Sequence, residues 1–187
     1  MIFSLVSRVV NGVKGGVTNA LQGVADVASS VVLVTKNITV STLKETGEFA
    51  KEALDVPASI VSGALSGVGE IGASVITAVK GVVIGTIHGL MESGVGQDTA
   101  IKGVVAQTLH SAKELGLDVG ETAVQSVKGV IDAVKQVGGD TIGATKTAVV
   151  AAVDTATGLA VNVLKSVKNS LSSEVEGVKD IIDSLEK

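Results

Sequence analysis

The side chains with the widest chemical reach in this sequence are two histidines, and their spacing argues against a shared task. His88 and His110 stand two eleven-residue steps apart, which on one helix separates them by roughly 33 Å along the axis, too far for a common metal. Gly67-Val-Gly69-Glu-Ile-Gly72 has the spelling of a dinucleotide-binding turn, whose glycines let backbone amides approach a pyrophosphate. It interrupts a helical apolar pattern instead of following a strand, and Glu70 would repel the phosphates. Ser41-Thr-Leu-Lys44 matches the Ser-x-x-Lys of a nucleophilic serine without any companion motif. Asn37-Ile-Thr39 fits a glycosylation acceptor, which matters only in a secreted chain. With no cysteine there is neither a thiolate metal site nor a disulfide framework. No nucleophile, base and orienting group can be assembled. The expectation is therefore no catalytic, cofactor or metal site, no small-molecule substrate, and no enzyme.

What does recur is apolar. Stepping by eleven from Val10 gives Val10, Leu21, Val32, Leu43, Leu54, Leu65, Ile76, Ile87, Leu109, Ile131, Ile142, Val153, Leu164 and Val175, with Asp98 and Gly120 as interruptions. An eleven-residue period corresponds to roughly 3.67 residues per turn, so each step returns to the same side of a nearly straight α-helix. Four further ladders lie beside the first, one of them through Val27, Ile38, Phe49, Ile60, Ile71, Val82, Val104, Leu115, Val137 and Leu159. Together they span an arc of roughly 130 to 160°, wider than the seam of a two-stranded coiled coil. A face of that width needs either a large partner surface or an apolar phase. These ladder residues are read as facing lipid or a partner.

The borders of the arc are equally regular. Lys14, Lys36, Lys80, Lys102, Lys113, Lys135, Lys146, Lys168 and Lys179 line one edge, where a lysine can lay its methylenes on the apolar surface and extend its ammonium to water or a lipid headgroup. Small residues line the other edge, and Gly81, Gly85 and Gly89 are spaced for close approach of another helix. The formal charge is −4 and aromatic residues make up 1% of the chain. Nothing here makes a nucleic-acid footprint, which needs a basic stripe and stacking rings. No signal peptide is recognised, and the apolar window from Ile71 to Met91 contains Lys80 and His88, so it reads as a surface helix and not as a membrane span. The expected setting is cytoplasmic, peripheral on a lipid or membrane surface.

The positioning elements are accordingly helices alone. The expected fold is all-α: long amphipathic helices of eleven-residue period in a single repeat region over 1–187, either extended and hinged or packed as a helical hairpin or up to a four-helix bundle. Hinges are expected near 55–58, 93–98 and 138–140, with Asp98 as a helix cap, dividing the chain into segments near 2–54, 57–93, 98–137 and 140–184. The apolar frame passes these breaks unshifted, which keeps open a continuous helix up to roughly 280 Å long. The 23 glycines would each cost a helix interior about 0.5 to 1 kcal/mol relative to alanine, so something outside the helix must stabilise it.

Val13-Lys-Gly-Gly-Val17, Val79-Lys-Gly-Val-Val83 and Ile101-Lys-Gly-Val-Val105 share one frame, and Val127-Lys-Gly-Val-Ile131 repeats their composition. With the stretch Val124 to Val167, they resemble the Lys-, Gly- and Val-rich eleven-residue repeats of perilipins and synucleins. The resemblance implies a chain that becomes an amphipathic helix on a lipid droplet or vesicle. The functional expectation is a non-enzymatic lipid-surface coat. The alternative is a structural protein that self-assembles into a bundle, filament or shell through its apolar face and glycine edge. Its partners are then a lipid surface or copies of itself, with homo-oligomers expected on assembly.

Overall fold

A computed structural model describes residues 2–46 and 55–186. Among these residues there are nine α-helices and no strand: α1 (Ile2–Leu21), α2 (Val27–Thr46), α3 (Asp55–Glu70), α4 (Val75–Glu92), α5 (Gln97–Glu114), α6 (Val119–Gln136), α7 (Thr141–Leu159), α8 (Val161–Glu174) and α9 (Val178–Leu185). Phe49 and Leu54 lie outside the described residues. The helices are packed against one another in a bundle, and the chain is not extended.

Glycine sets where the helices stop. Gly72, Gly94, Gly116 and Gly138 recur every 22 residues, each in the left-handed region with φ between +71 and +92°. Around Gly94 the amide of Val95 reaches back to the carbonyl of Leu90 and the Gly94 amide to that of Met91; the bonds from Leu117 to Ala112 and Gly116 to Lys113 repeat the pattern. This is the Schellman ending, in which a left-handed residue just past the helix lets two orphan carbonyls be satisfied. Two residues later the next helix starts, and Asp118 and Asp140 cap α6 and α7 by accepting from the amides of Glu121 and of Ile142 and Gly143. Asp98 is not the expected cap. Gly96 takes that position, and Asp98 lies in the first turn of α5, where its charge meets the positive end of the helix dipole.

The apolar frame survives these turns because helix and turn together take up 22 residues, two eleven-residue steps. The segments expected near 57–93 and 98–137 are thus each folded in half, at 71–74 and 115–118. The first is folded at 22–26, and the last is divided at Ala160 and again at 175–177. The chain also turns at 93–96 and 137–140, while α3 begins at Asp55 with Pro57 in its first turn, where a missing amide donor costs nothing. Ala160 stands where the series would place another glycine and makes a different joint, an extended residue at φ −175°.

Each helix touches the next along the chain and the next but one. Odd-numbered helices thereby form one layer and even-numbered helices the other, with neighbours in a layer running parallel. The short α9 packs on α7 and α8 and closes the C-terminal end, burying Val178 and Ile182. The core between the layers is aliphatic, and its largest buried side chains include Leu65, Ile87, Leu90, Ile101, Leu109 and Leu171. Buried hydroxyls turn inward on their own helix: Thr39, Thr86, Thr108 and Ser126 each donate to the carbonyl four residues earlier. The Thr35 hydroxyl alone finds no partner among the described residues.

The turn geometry carries a direct test. Gly116→Val puts a β-branched side chain in the left-handed region, and about 1 to 2 kcal/mol of stability is expected to be lost in a urea denaturation series.

Candidate functional site

In this conformation the apolar ladder is covered by the chain's own helices. Leu21, Leu43, Leu65, Ile87, Leu109, Val153 and Val175 are buried, and Val10, Val32, Ile76, Ile131 and Leu164 are half-buried. Ile142 is the exception at 83% exposure. Central residues of the arc also meet the parallel neighbour: Val13 and Val17 of α1 lie against Gly63 and Gly67 of α3, and Val83 of α4 lies against Gly129 of α6.

Glycine makes the parallel contacts close. On α4, Gly81, Gly85 and Gly89 lie against α2: a Cβ on Gly81 would meet Val31, one on Gly85 would meet the Val32 carbonyl, and one on Gly89 would come within 2.5 Å of Thr39 Cβ. The same relation holds one layer away, where Gly63 and Gly67 of α3 would meet the carbonyls of Val10 and Lys14 on α1 at 2.6 and 2.8 Å. Gly129 of α6 rests on Lys80 and Val83 of α4. The Gly63–Gly67 pair was visible as a spacing, whereas Gly129 has no glycine four residues away and had no such signal.

The lysine edge divides into two groups. Lys36 on α2 pairs with Glu92 on α4 at 2.8 Å, and Lys80 on α4 pairs with Asp132 on α6 at 2.5 Å. Lys128, which is outside the ladder, continues the series from α6 to Glu174 at the end of α8 at 3.8 Å. Ion pairs therefore tie all four even helices side to side. In the odd layer Lys14 on α1 meets Glu70 on α3 at 2.6 Å, and between the layers Lys168 on α8 meets Glu186 beyond α9 at 2.8 Å. Lys113 donates instead to the Leu159 carbonyl at 3.2 Å. Lys102, Lys135, Lys146 and Lys179 are exposed and make no ion pair among the described residues. The hydrogen bond from Lys14 holds the Glu70 carboxyl below its ordinary value, and that from Lys36 does the same for Glu92.

Among the described residues the two histidines stand apart. His88 on α4 is half-buried with its Nε2 2.9 Å from the Ala133 carbonyl on α6, so it must donate there, while His110 is exposed on α5. Among the described residues no three His, Cys, Asp or Glu gather as a metal site. A groove of about 590 Å³ opens between α1 and α2, lined by Arg8, Gly12, Asn37, Ile38, Ser41 and Glu45 among others, without a nucleophile paired to a base. One described helix, α4, is long and apolar enough by composition to cross a membrane, and 61% of that window is buried among the other helices. No known family model matches the chain, and no curated protein does.

Two consequences are measurable. Gly85→Leu is expected to cost about 3 kcal/mol or prevent folding, because α2 must move away. Gly103→Ala, in the interior of α5 with no atom within 4 Å of the added methyl, is expected to gain about 0.5 to 1 kcal/mol by denaturant titration. Glu70 and Glu92 are depressed in the folded chain, so their contribution is present above the ordinary glutamate value of 4.5 and lost as pH falls through the lower folded value. Melting temperature measured against pH should therefore show Glu92→Gln below the parent at neutral pH, with the gap narrowing as pH falls below 4.5.

Proposed function

We propose that this chain is a non-enzymatic protein that coats a lipid surface through the apolar faces of its helices, and that the bundle is its form away from lipid. One observation carries this reading: the apolar arc continues through the turns. The residues that end successive helices include Ile71, Leu115, Val137 and Leu159, all on one eleven-residue ladder, with Ser93 as the polar member of the series. Leu115 and Val137 are 43% and 52% exposed in the bundle, and Ile142, on the main ladder, is 83% exposed. A turn facing water gains nothing from an aliphatic residue there. On hydrocarbon each such side chain would complete the stripe and contribute about 1.5 to 3 kcal/mol when fully buried. The exposed Lys102, Lys135, Lys146 and Lys179 suit the headgroup level of the same surface.

A second reading, self-assembly, is favoured by the glycine contacts, since a helix exchanged between two chains would find the same parallel neighbours. Flotation with phosphatidylcholine vesicles and with emulsified triglyceride, run beside sedimentation in lipid-free buffer, tests both. Co-flotation is expected. Protein left at the bottom of the gradient rejects the lipid reading, and large ordered particles without lipid support assembly in its place.

A further inference from the structure

We infer that the stretch from Val75 to Leu159 is a convertible element, closed as four helices in the bundle and opened on hydrocarbon as one uninterrupted helix through the turns at 93–96, 115–118 and 137–140. This inference rests on the lipid-surface reading and adds how the surface is engaged.

In the turns at 115–118 and 137–140 the first and last residues are already placed as an amphipathic helix requires, whereas the turn at 93–96 has Ser93 and Gly96 at those positions, and Val95 and Leu117 fall on the polar side. On a helix of eleven-residue period, the first turn residues Leu115 and Val137 fall inside the apolar arc, beside Val82 and Val104. The last turn residues Asp118 and Asp140 fall roughly 130° from the centre of that arc, on the polar back with the other acids. The aspartates also serve the closed turns as helix caps, whereas a solvent-exposed turn gives no reason for the aliphatic side chains of Leu115 and Val137. Gly94, Gly116 and Gly138 have no Cβ, so they pass from the left-handed to the helical region without a steric barrier. The turn amides exchange their reach-back bonds for ordinary helical ones, so no backbone group is left unpaired.

Opening also releases what the bundle holds closed. The arc of α4 and α6 leaves its aliphatic partners and meets acyl chains, and Lys80 and Asp132, paired across α4 and α6, move apart into the headgroup layer. The joint at Ala160 sets the end of the element. It lacks the left-handed glycine of the other turns, and Val161 just beyond it is 86% exposed without belonging to the apolar arc.

Because the chain has no cysteine, site-specific labels report this cleanly. Lys102 on α5 and Lys146 on α7 are both exposed, lie 44 residues apart and belong to parallel neighbours in the bundle. Spin labels on Lys102→Cys/Lys146→Cys should sit on the order of 10 to 20 Å apart in buffer, as adjacent helices do, and roughly 66 Å apart on phosphatidylcholine vesicles. A second variant, Val83→Cys/Gly129→Cys, joins α4 to α6 where the Cβ positions lie about 3.1 Å apart, closer than a relaxed disulfide prefers, so the two helices must part slightly to form it. Oxidised, it should float with vesicles at least tenfold less than after reduction. Labels that stay close while the protein floats would overturn the inference and leave a closed bundle binding lipid, as would equal flotation of the oxidised and reduced forms. Failure of the unlabelled protein to float removes the lipid reading itself, and the inference with it. Should the disulfide variant fail to fold, the surface label pair decides alone.

Discussion

Parallel helices in this protein approach until the backbone of one meets the side chains of the next, and the rest of the fold is arranged around that approach. Glycine permits it: Gly63, Gly67 and Gly85 each face a carbonyl of the neighbouring helix so closely that a methyl group would collide with it, and at Gly129 the Lys80 carbonyl would have to give way slightly. The close spacing lets aliphatic side chains of modest size fill the space between the layers, so the core among the described residues needs no aromatic anchor. It also brings the helix flanks within reach of each other, and the ion pairs from Lys36 to Glu92 and Lys80 to Asp132 follow from that proximity. Being half exposed, such pairs orient and register the helices more than they stabilise them.

The same residue type performs a second, opposite task at the turns. Inside a helix glycine is tolerated for the space it vacates; after a helix it is required for a backbone angle that other residues adopt only with strain. Both uses carry an entropic cost in the unfolded chain. A protein with so many of them is held together by packing and not by helix propensity.

The helical character and the face of each helix were legible in the sequence, since the position of Leu21, Leu65, Ile87 or Leu109 on its ladder identifies it as interior. What the period concealed was the folding back. A repeat of eleven is blind to turns that occur at twice that interval, so an uninterrupted rod and a stack of hairpins have the same pattern. The distinguishing signal was present in Gly116-Leu-Asp118 and Gly138-Gly-Asp140, a left-handed glycine followed two residues later by a helix cap, 22 residues apart. Gly72 and Gly94 keep the interval without an aspartate, with Ser74 and Gly96 at the cap positions, and the series is hard to see without them. The role of His88 was not legible, because its partner is a main-chain carbonyl on a helix 45 residues further along.

The 22-residue module has a bearing on how such a chain tolerates changes in length. Nearly all contacts of a described helix lie with the two helices before it and the two after it, so a change in the number of modules is felt where it is made. A single module inserted or lost between two helices of one layer would invert the later one relative to the earlier and transfer it to the opposite layer; between α4 and α6 this would part Lys80 from Asp132. Gain or loss of two preserves parity and heals the seam. Variants of this architecture should therefore differ by multiples of 44 residues, an arithmetic imposed by the alternation of layers.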